Sequence, residues 1–140
     1  MKEQQIEQIF VYGSLRSGFH SPAYNYISKY FTLQGNARAK GLLIDMGQYP
    51  VAIATNEDKY IVGELYKINY IEALDFAIAQ LDDYEGLNAE ENETPLYKRV
   101  VAEIEINNTI TNAWVYWFTG DVENKPILAS GDILDYLKKM

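Results

Sequence analysis

The sequence predicts a single α+β domain, and three observations predict it. Short runs of β-branched and aromatic residues recur along the chain, the last two of them flanking Asn107-Asn108 as a tight hairpin would. One strongly amphipathic helical pattern follows Asn69, with Ile71, Leu74, Ile78 and Leu81 on one face. Finally, 140 residues, 48% of them hydrophobic, suit one core rather than two, so residues 1–140 are read as one domain.

Taken in order, Ile9, Phe10, Val11 and Tyr12 read as a short buried strand that Gly13 ends. Ser21-Pro22 has the form of a helix start, serine as cap and proline at the first helical position, with Tyr24, Ile27 and Phe31 on the buried side. Thr32 to Met46 reads as a strand with Gly41 inside it, Gly47 to Pro50 as a turn, and Val51 to Thr55 as a second strand. Tyr60 to Ile68 is a further strand in which Gly63-Glu64 marks a bulge or a close backbone approach. Asn69 is placed to cap the helix, with Glu72 completing a capping-box pattern.

That helix runs into Leu81-Asp82-Asp83-Tyr84-Glu85-Gly86, where the macrodipole opposes acidic groups by about 0.3 to 1 kcal/mol each. Asp82 and Asp83 read as a solvated face, and Gly86 as the residue that ends the helix, leaving Glu85 at the mouth of a turn. The acidic stretch from Asn88 to Pro95 reads as a charged loop, plain or lid-like. In the hairpin of Tyr97 to Ile106 and Thr109 to Phe118, a two-residue turn sets the register. Arg99 then faces Tyr116, Val101 faces Trp114, and Tyr97, Arg99, Val101, Trp114 and Tyr116 share one face, either core or pocket wall. A short amphipathic helix through Ile133, Leu134 and Leu137 closes the chain.

Composition narrows the chemistry. A net charge of −8, from 20 acidic and 12 basic residues, argues against nucleic acid or an anionic membrane as the main partner. No apolar run approaches the roughly 20 residues of a membrane span, and MKEQQIEQ has no signal-peptide core, which makes the cytoplasm the expected compartment. With no cysteine there is no thiol nucleophile and no thiolate metal site. His20, the single histidine, would have to serve any serine triad, and a zinc site would be almost wholly carboxylate. No metal and no cofactor are expected, and acid/base work falls to a carboxylate or a tyrosine.

The stretch from Phe10 to Gly18 passes from strand to a glycine-bounded loop, so several main-chain N–H groups can converge on one concavity that suits a carboxylate or an oxyanion. An ordinary turn with no ligand fits the same residues. A pattern spread along the chain adds to this: Tyr12-Gly13-Ser14-Leu15, Tyr49-Pro50, Gly63-Glu64-Leu65, Leu81 to Gly86, Tyr97-Lys98-Arg99, Val115-Tyr116 and Ser130-Gly131-Asp132. Together, in this order, they resemble the γ-glutamylcyclotransferase-like family.

The resemblance implies a small, mixed, mostly closed β-barrel with flanking helices, a cavity at Tyr12 to Leu15 and a catalytic glutamate at Glu85. Ser14 stands where the family's loop often carries threonine, which keeps the hydroxyl. The implied reaction turns a γ-glutamyl amine or peptide into 5-oxoproline and a free amine, an acyl transfer with elimination of the amine. The substrate's own α-amine is the nucleophile, and well-oriented ring closures reach effective molarities of about 10⁵ to 10⁸ M, so no protein nucleophile is needed. Glu85 would act as general base and then acid, which calls for a pKa raised by partial burial. Gly13, Ser14 and Leu15 would bind the substrate through main-chain N–H groups, Tyr12, Tyr97 and Tyr116 would line or hydrogen-bond it, and Arg99 would be a structural or carboxylate partner. Two other readings are a non-catalytic sensor or carrier for a γ-glutamyl-like molecule, and an amidohydrolase built on Ser14 and His20.

Overall fold

The structure, a computed structural model, describes residues 6–12, 27–46, 50–84, 97–128 and 131. Its strands are β1 (Gln8–Val11), β2 (Phe31–Asp45), β3 (Pro50–Ala54), β4 (Tyr60–Ile68), β5 (Tyr97–Ile106), β6 (Thr109–Phe118) and β7 (Ile127–Leu128), with helix α1 (Leu74–Tyr84) between β4 and β5. Five strands in the order β2-β4-β1-β6-β5 close into a barrel, because β5 returns to β2 through Arg38↔Glu105 and Ala39↔Ile104. The long β2 outruns the barrel, and its last residues pair with β3 on one side and β7 on the other. Every pairing is antiparallel except β1 with β6, which meet in parallel at Ile9↔Trp114.

Alternation along the strands divides the core into two layers. Phe10, Ala39, Leu65, Ile104, Val115 and Trp117 point into the barrel, where Ala37, Ala52 and Ala113 leave room for the large rings. Ile9, Val11, Tyr66, Ile68 and Tyr116 point outward and are covered by Leu74, Ala77, Ile78 and Leu81 of α1. The expected helical face is therefore present, with Ala77 in it, while Ile71 is exposed in the 3₁₀ turn that leads into α1.

The predicted hairpin register is observed: Ile106 pairs with Thr109, Arg99 with Tyr116 and Val101 with Trp114. Asn107 and Asn108 both have positive φ, 52° and 63°, the pair of left-handed residues that a tight hairpin matching strand twist requires. Asn69 does not cap α1. The residue ahead of the 3₁₀ turn is Tyr70, with no side-chain cap, and the Asn69 side-chain oxygen Oδ1 accepts a hydrogen bond from the Thr32 hydroxyl instead. A cross-element partner has displaced the local one. Of the two readings of Gly63, close approach is correct. The ladder with β2 runs unbroken through Ala37↔Gly63 and is shifted between Leu33 and Gly35.

At Gly63 a Cβ would lie 2.3 Å from the Val11 carbonyl oxygen and 2.6 Å from the Phe10 ring, so only glycine lets β1 lie this close to β4. The helix start at Ser21-Pro22, the turn at Gly47 to Tyr49, the loop from Asn88 to Pro95 and the C-terminal helix lie outside the described residues. Gly63→Ala is expected to lower unfolding free energy by about 1 to 3 kcal/mol, as overpacking does in a closed core. Urea denaturation with a wild-type midpoint would show that the strands can part without loss.

Candidate functional site

β1 ends at Val11, and Tyr12 leaves it pointing to the barrel interior. The Tyr12 ring stacks on Trp117 with centroids 6.1 Å apart and planes at 20°, and its hydroxyl donates to the main-chain carbonyl oxygen of Tyr116. A ring wedged on one side and tethered at its tip is held in one orientation. Trp117 rests in turn against Gly41, where a Cβ would come within 3.1 Å of the indole.

Trp117 also lines a cavity of about 360 Å³ that opens between β2 and β5, bordered by Lys40, Tyr60, Lys98, Val100 and Ala102. This opening follows from the strand pairing: β2 and β5 are joined only at Arg38↔Glu105 and Ala39↔Ile104. Arg38 reinforces that seam with a two-pronged ion pair to Glu105, 3.0 Å to each oxygen, and lies 3.9 Å over the Tyr60 ring. The pair is half exposed, so its contribution is within about 1 kcal/mol and the apolar contacts of Ala39 and Ile104 hold the closure.

On the outer face of the same strands, the end of α1 is bound to the hairpin. Arg99 donates to both oxygens of Asp82, at 2.7 Å from Nε and 3.1 Å from its terminal nitrogen, and the Tyr116 hydroxyl donates to the same Oδ1 at 2.7 Å. The Arg99 guanidinium lies 4.2 Å from the Trp114 ring centre, a cation–π contact beside the two-pronged bond to the carboxylate. Asp82 is thus a partly buried anion with charged and neutral donors, 16% exposed, where the sequence suggested a solvated face. The local signal, an acid near a helix C-terminus, carries no information about a partner 17 residues away across the fold. Arg99 is neither core nor cavity wall but a clamp between hairpin and helix.

Of the residues expected to form the site, Tyr12, Tyr97 and Tyr116 are described, whereas Gly13, Ser14, Leu15 and Glu85 lie outside the described residues. Tyr97 and Tyr116 do share a face, as the register required, and Tyr97 packs edge-on against Phe118 at 5.7 Å. Tyr12 and the Tyr116 side chain lie on opposite sides of β6, in the inner and outer layers respectively. Trp117 was not singled out from sequence. Its partner Tyr12 is 105 positions earlier, and only the parallel meeting of β1 with β6 brings them together. Among the described residues, no group of three or more histidine, cysteine or acidic side chains could hold a metal ion, and no helix is long and apolar enough to cross a membrane.

A five-stranded barrel with a cavity opening between β2 and β5, and a helix bound to the β5–β6 hairpin, defines the architectural class. The family model for γ-glutamyl cyclotransferases of the AIG2-like kind matches residues 9–135, and the chain belongs to that family. Among solved structures, the chain is similar to YkqA from Bacillus subtilis, at 24% identity and a TM-score of 0.68 over 96% of this chain and 43% of that one. The chain thus spans less than half of the YkqA chain. It is also similar to ytfP from Escherichia coli, at 27% identity and a TM-score of 0.59 over 92% of this chain and 97% of that one. An AIG2-like protein from Mus musculus shares the fold at 18% identity and a TM-score of 0.64, over 90% and 88% of the two chains. No match was found among curated proteins.

The tether on Tyr12 is testable by removing one oxygen. Tyr12→Phe keeps the stack on Trp117 and leaves the Tyr116 carbonyl without that donor, so stability should fall by about 0.5 to 1.5 kcal/mol in urea denaturation. An unchanged midpoint would mean that stacking alone holds the ring.

Proposed function

We propose that the protein converts a γ-glutamyl amine or γ-glutamyl peptide into 5-oxoproline and the free amine. The observation that carries this reading is the family match over residues 9–135, a span that includes both the Tyr12-Gly13-Ser14-Leu15 loop and Glu85. In the reaction, Glu85 takes a proton from the substrate α-ammonium. The freed amine attacks the γ-carbonyl carbon, forming the ring C–N bond and a tetrahedral oxyanion. Glu85 then returns the proton to the departing nitrogen as the original amide bond breaks, and the ring nitrogen gives up its second proton to the freed amine, leaving the neutral lactam and an ammonium ion. Main-chain N–H groups of Gly13, Ser14 and Leu15 bind the substrate α-carboxylate or the oxyanion, donors fixed before the charge develops.

The tether of Tyr12 supports the loop's role, because it fixes the chain direction at the residue from which the loop departs. The cavity lined in part by Trp117, on which the Tyr12 ring stacks, offers room for the amine portion. Tyr97 stands at the start of β5 where it can border the substrate, whereas the Tyr116 hydroxyl donates a hydrogen bond to Asp82. The substrate is a small molecule, and the reaction needs neither metal nor cofactor.

Incubation with a panel of γ-glutamyl amines and peptides should yield 5-oxoproline by mass spectrometry from the wild type and at least about 100-fold less from Glu85→Gln, which keeps shape but cannot move the proton. Ligand binding without product from the wild type would replace this reading with a sensor or carrier. If Glu85 is the base, kcat/KM should rise with pH through the pKa of a carboxyl raised above its ordinary range, since only the ionised form accepts the proton. A profile still rising at the same pH in Glu85→Gln would assign that limb to another group.

A further inference from the structure

We propose that the opening between β2 and β5 is an anion-binding site, in which Lys98 and the Trp117 indole N–H receive a carboxylate and Lys40 adds a second positive charge. A carboxylate carried by the amine portion of the substrate rests on the function given above, whereas the site itself does not. Two observations carry the inference. The first is Trp117, which lines the cavity and is 3% exposed, yet whose indole N–H has no acceptor among the described residues. Tyr12 stacks on its ring and Gly41 lies against its six-membered end, so the indole is held in one orientation. A buried tryptophan N–H ordinarily finds a partner, and leaving it bare is costly. An acceptor entering the cavity removes that cost.

The second observation is charge. Lys98 is the direct cross-strand partner of Trp117, so by alternation the two side chains leave the hairpin on the same face. It has no carboxylate partner among the described residues, in a chain of net charge −8. Lys40, on the β2 side of the opening, meets Asp58 at 3.5 Å, a pair 47% and 92% exposed and therefore weak. The other charges of the lining are differently placed. Arg38 and Glu105 answer each other through two hydrogen bonds of 3.0 Å, and Glu103 alternates onto the outer face of β5 with Glu105. The two lysines are thus the uncommitted cations of the lining, and Val100, Ala102 and Ile104 supply apolar surface beside them. A largely apolar pocket with a few polar donors is the form that a small-ligand site takes. The ligand chemistry is a carboxylate on a small apolar body, brought by the amine portion of the substrate or by a separate small acid.

The test follows the Trp117 indole N–H by ¹H–¹⁵N NMR, assigned as the indole signal that remains in Trp114→Phe, during titration with N-acetylalanine and with N-acetylalanine amide. The acid should shift that signal saturably and bind at least about tenfold more tightly than the amide, as a charge-assisted hydrogen bond does. Lys98→Gln, a change at an exposed position, should remove most of that preference and leave binding of the amide unchanged. Equal affinity for acid and amide, an unmoved Trp117 signal, or a preference intact in Lys98→Gln overturns the proposal. Kinetics then separates the two sources of the carboxylate. A KM at least about tenfold lower for γ-glutamylalanine than for γ-glutamylalanine amide, with the difference lost in Lys98→Gln, places it on the amine portion. Equal KM values with acid binding retained assign the site to a separate acid. A wild-type protein that forms no 5-oxoproline overturns the cyclotransferase reading instead, and the titration alone then decides the anion site.

Discussion

The structure depends on one short strand being held from both sides. β1 has four residues, yet it pairs antiparallel with β4 and in parallel with β6, and without it the barrel would have two open edges. Its side chains enter both layers of the core: Phe10 fills the barrel, while Ile9 and Val11 pack under α1. Gly63 allows the approach by presenting no Cβ to Val11 and Phe10. Such a strand cannot shift by one residue without exchanging its inner and outer faces, so the position of Tyr12 is set by the core.

Around that strand, β6 acts as the common wall. Its main chain receives the Tyr12 hydroxyl at Tyr116, its inner face contributes Trp117 to the cavity, and its outer face contributes Tyr116 and Trp114 to the clamp on α1. Tyr12 and Asp82 are thus both anchored to Tyr116, one through its main chain and the other through its side chain. The net charge of −8 makes the single Arg99–Asp82 pairing more consequential, since it balances an acid at the end of a helix that has no cation in its last turn.

What the sequence made legible follows from what is local. The Asn107-Asn108 turn and the alternation of Tyr97, Arg99 and Val101 dictated the hairpin register, and the observed pairs agree. The α1 face followed from spacing alone. Features that needed a distant partner were misread or unseen: Asn69 bonded to Thr32 rather than capping, the shift at Leu33 to Gly35 imposed by β4, β7 beside β2, and Asp82 under Arg99. Closure itself was not readable from strand patterns, because two residue pairs between β2 and β5 make the difference between barrel and open sheet. It came from the family resemblance. For the site, residue types excluded a thiol or a thiolate metal centre, and the resemblance placed Tyr12 and Glu85, but Trp117 belonged to no motif.

The central claim is that the substrate's own amine, not water, takes the acyl group. Turnover in H₂¹⁸O tests it most directly. The account predicts 5-oxoproline with no ¹⁸O, because the ring carbonyl keeps the oxygen of the original amide and no water enters the reaction. Free glutamate bearing one ¹⁸O in its γ-carboxyl would contradict it and make the protein a hydrolase.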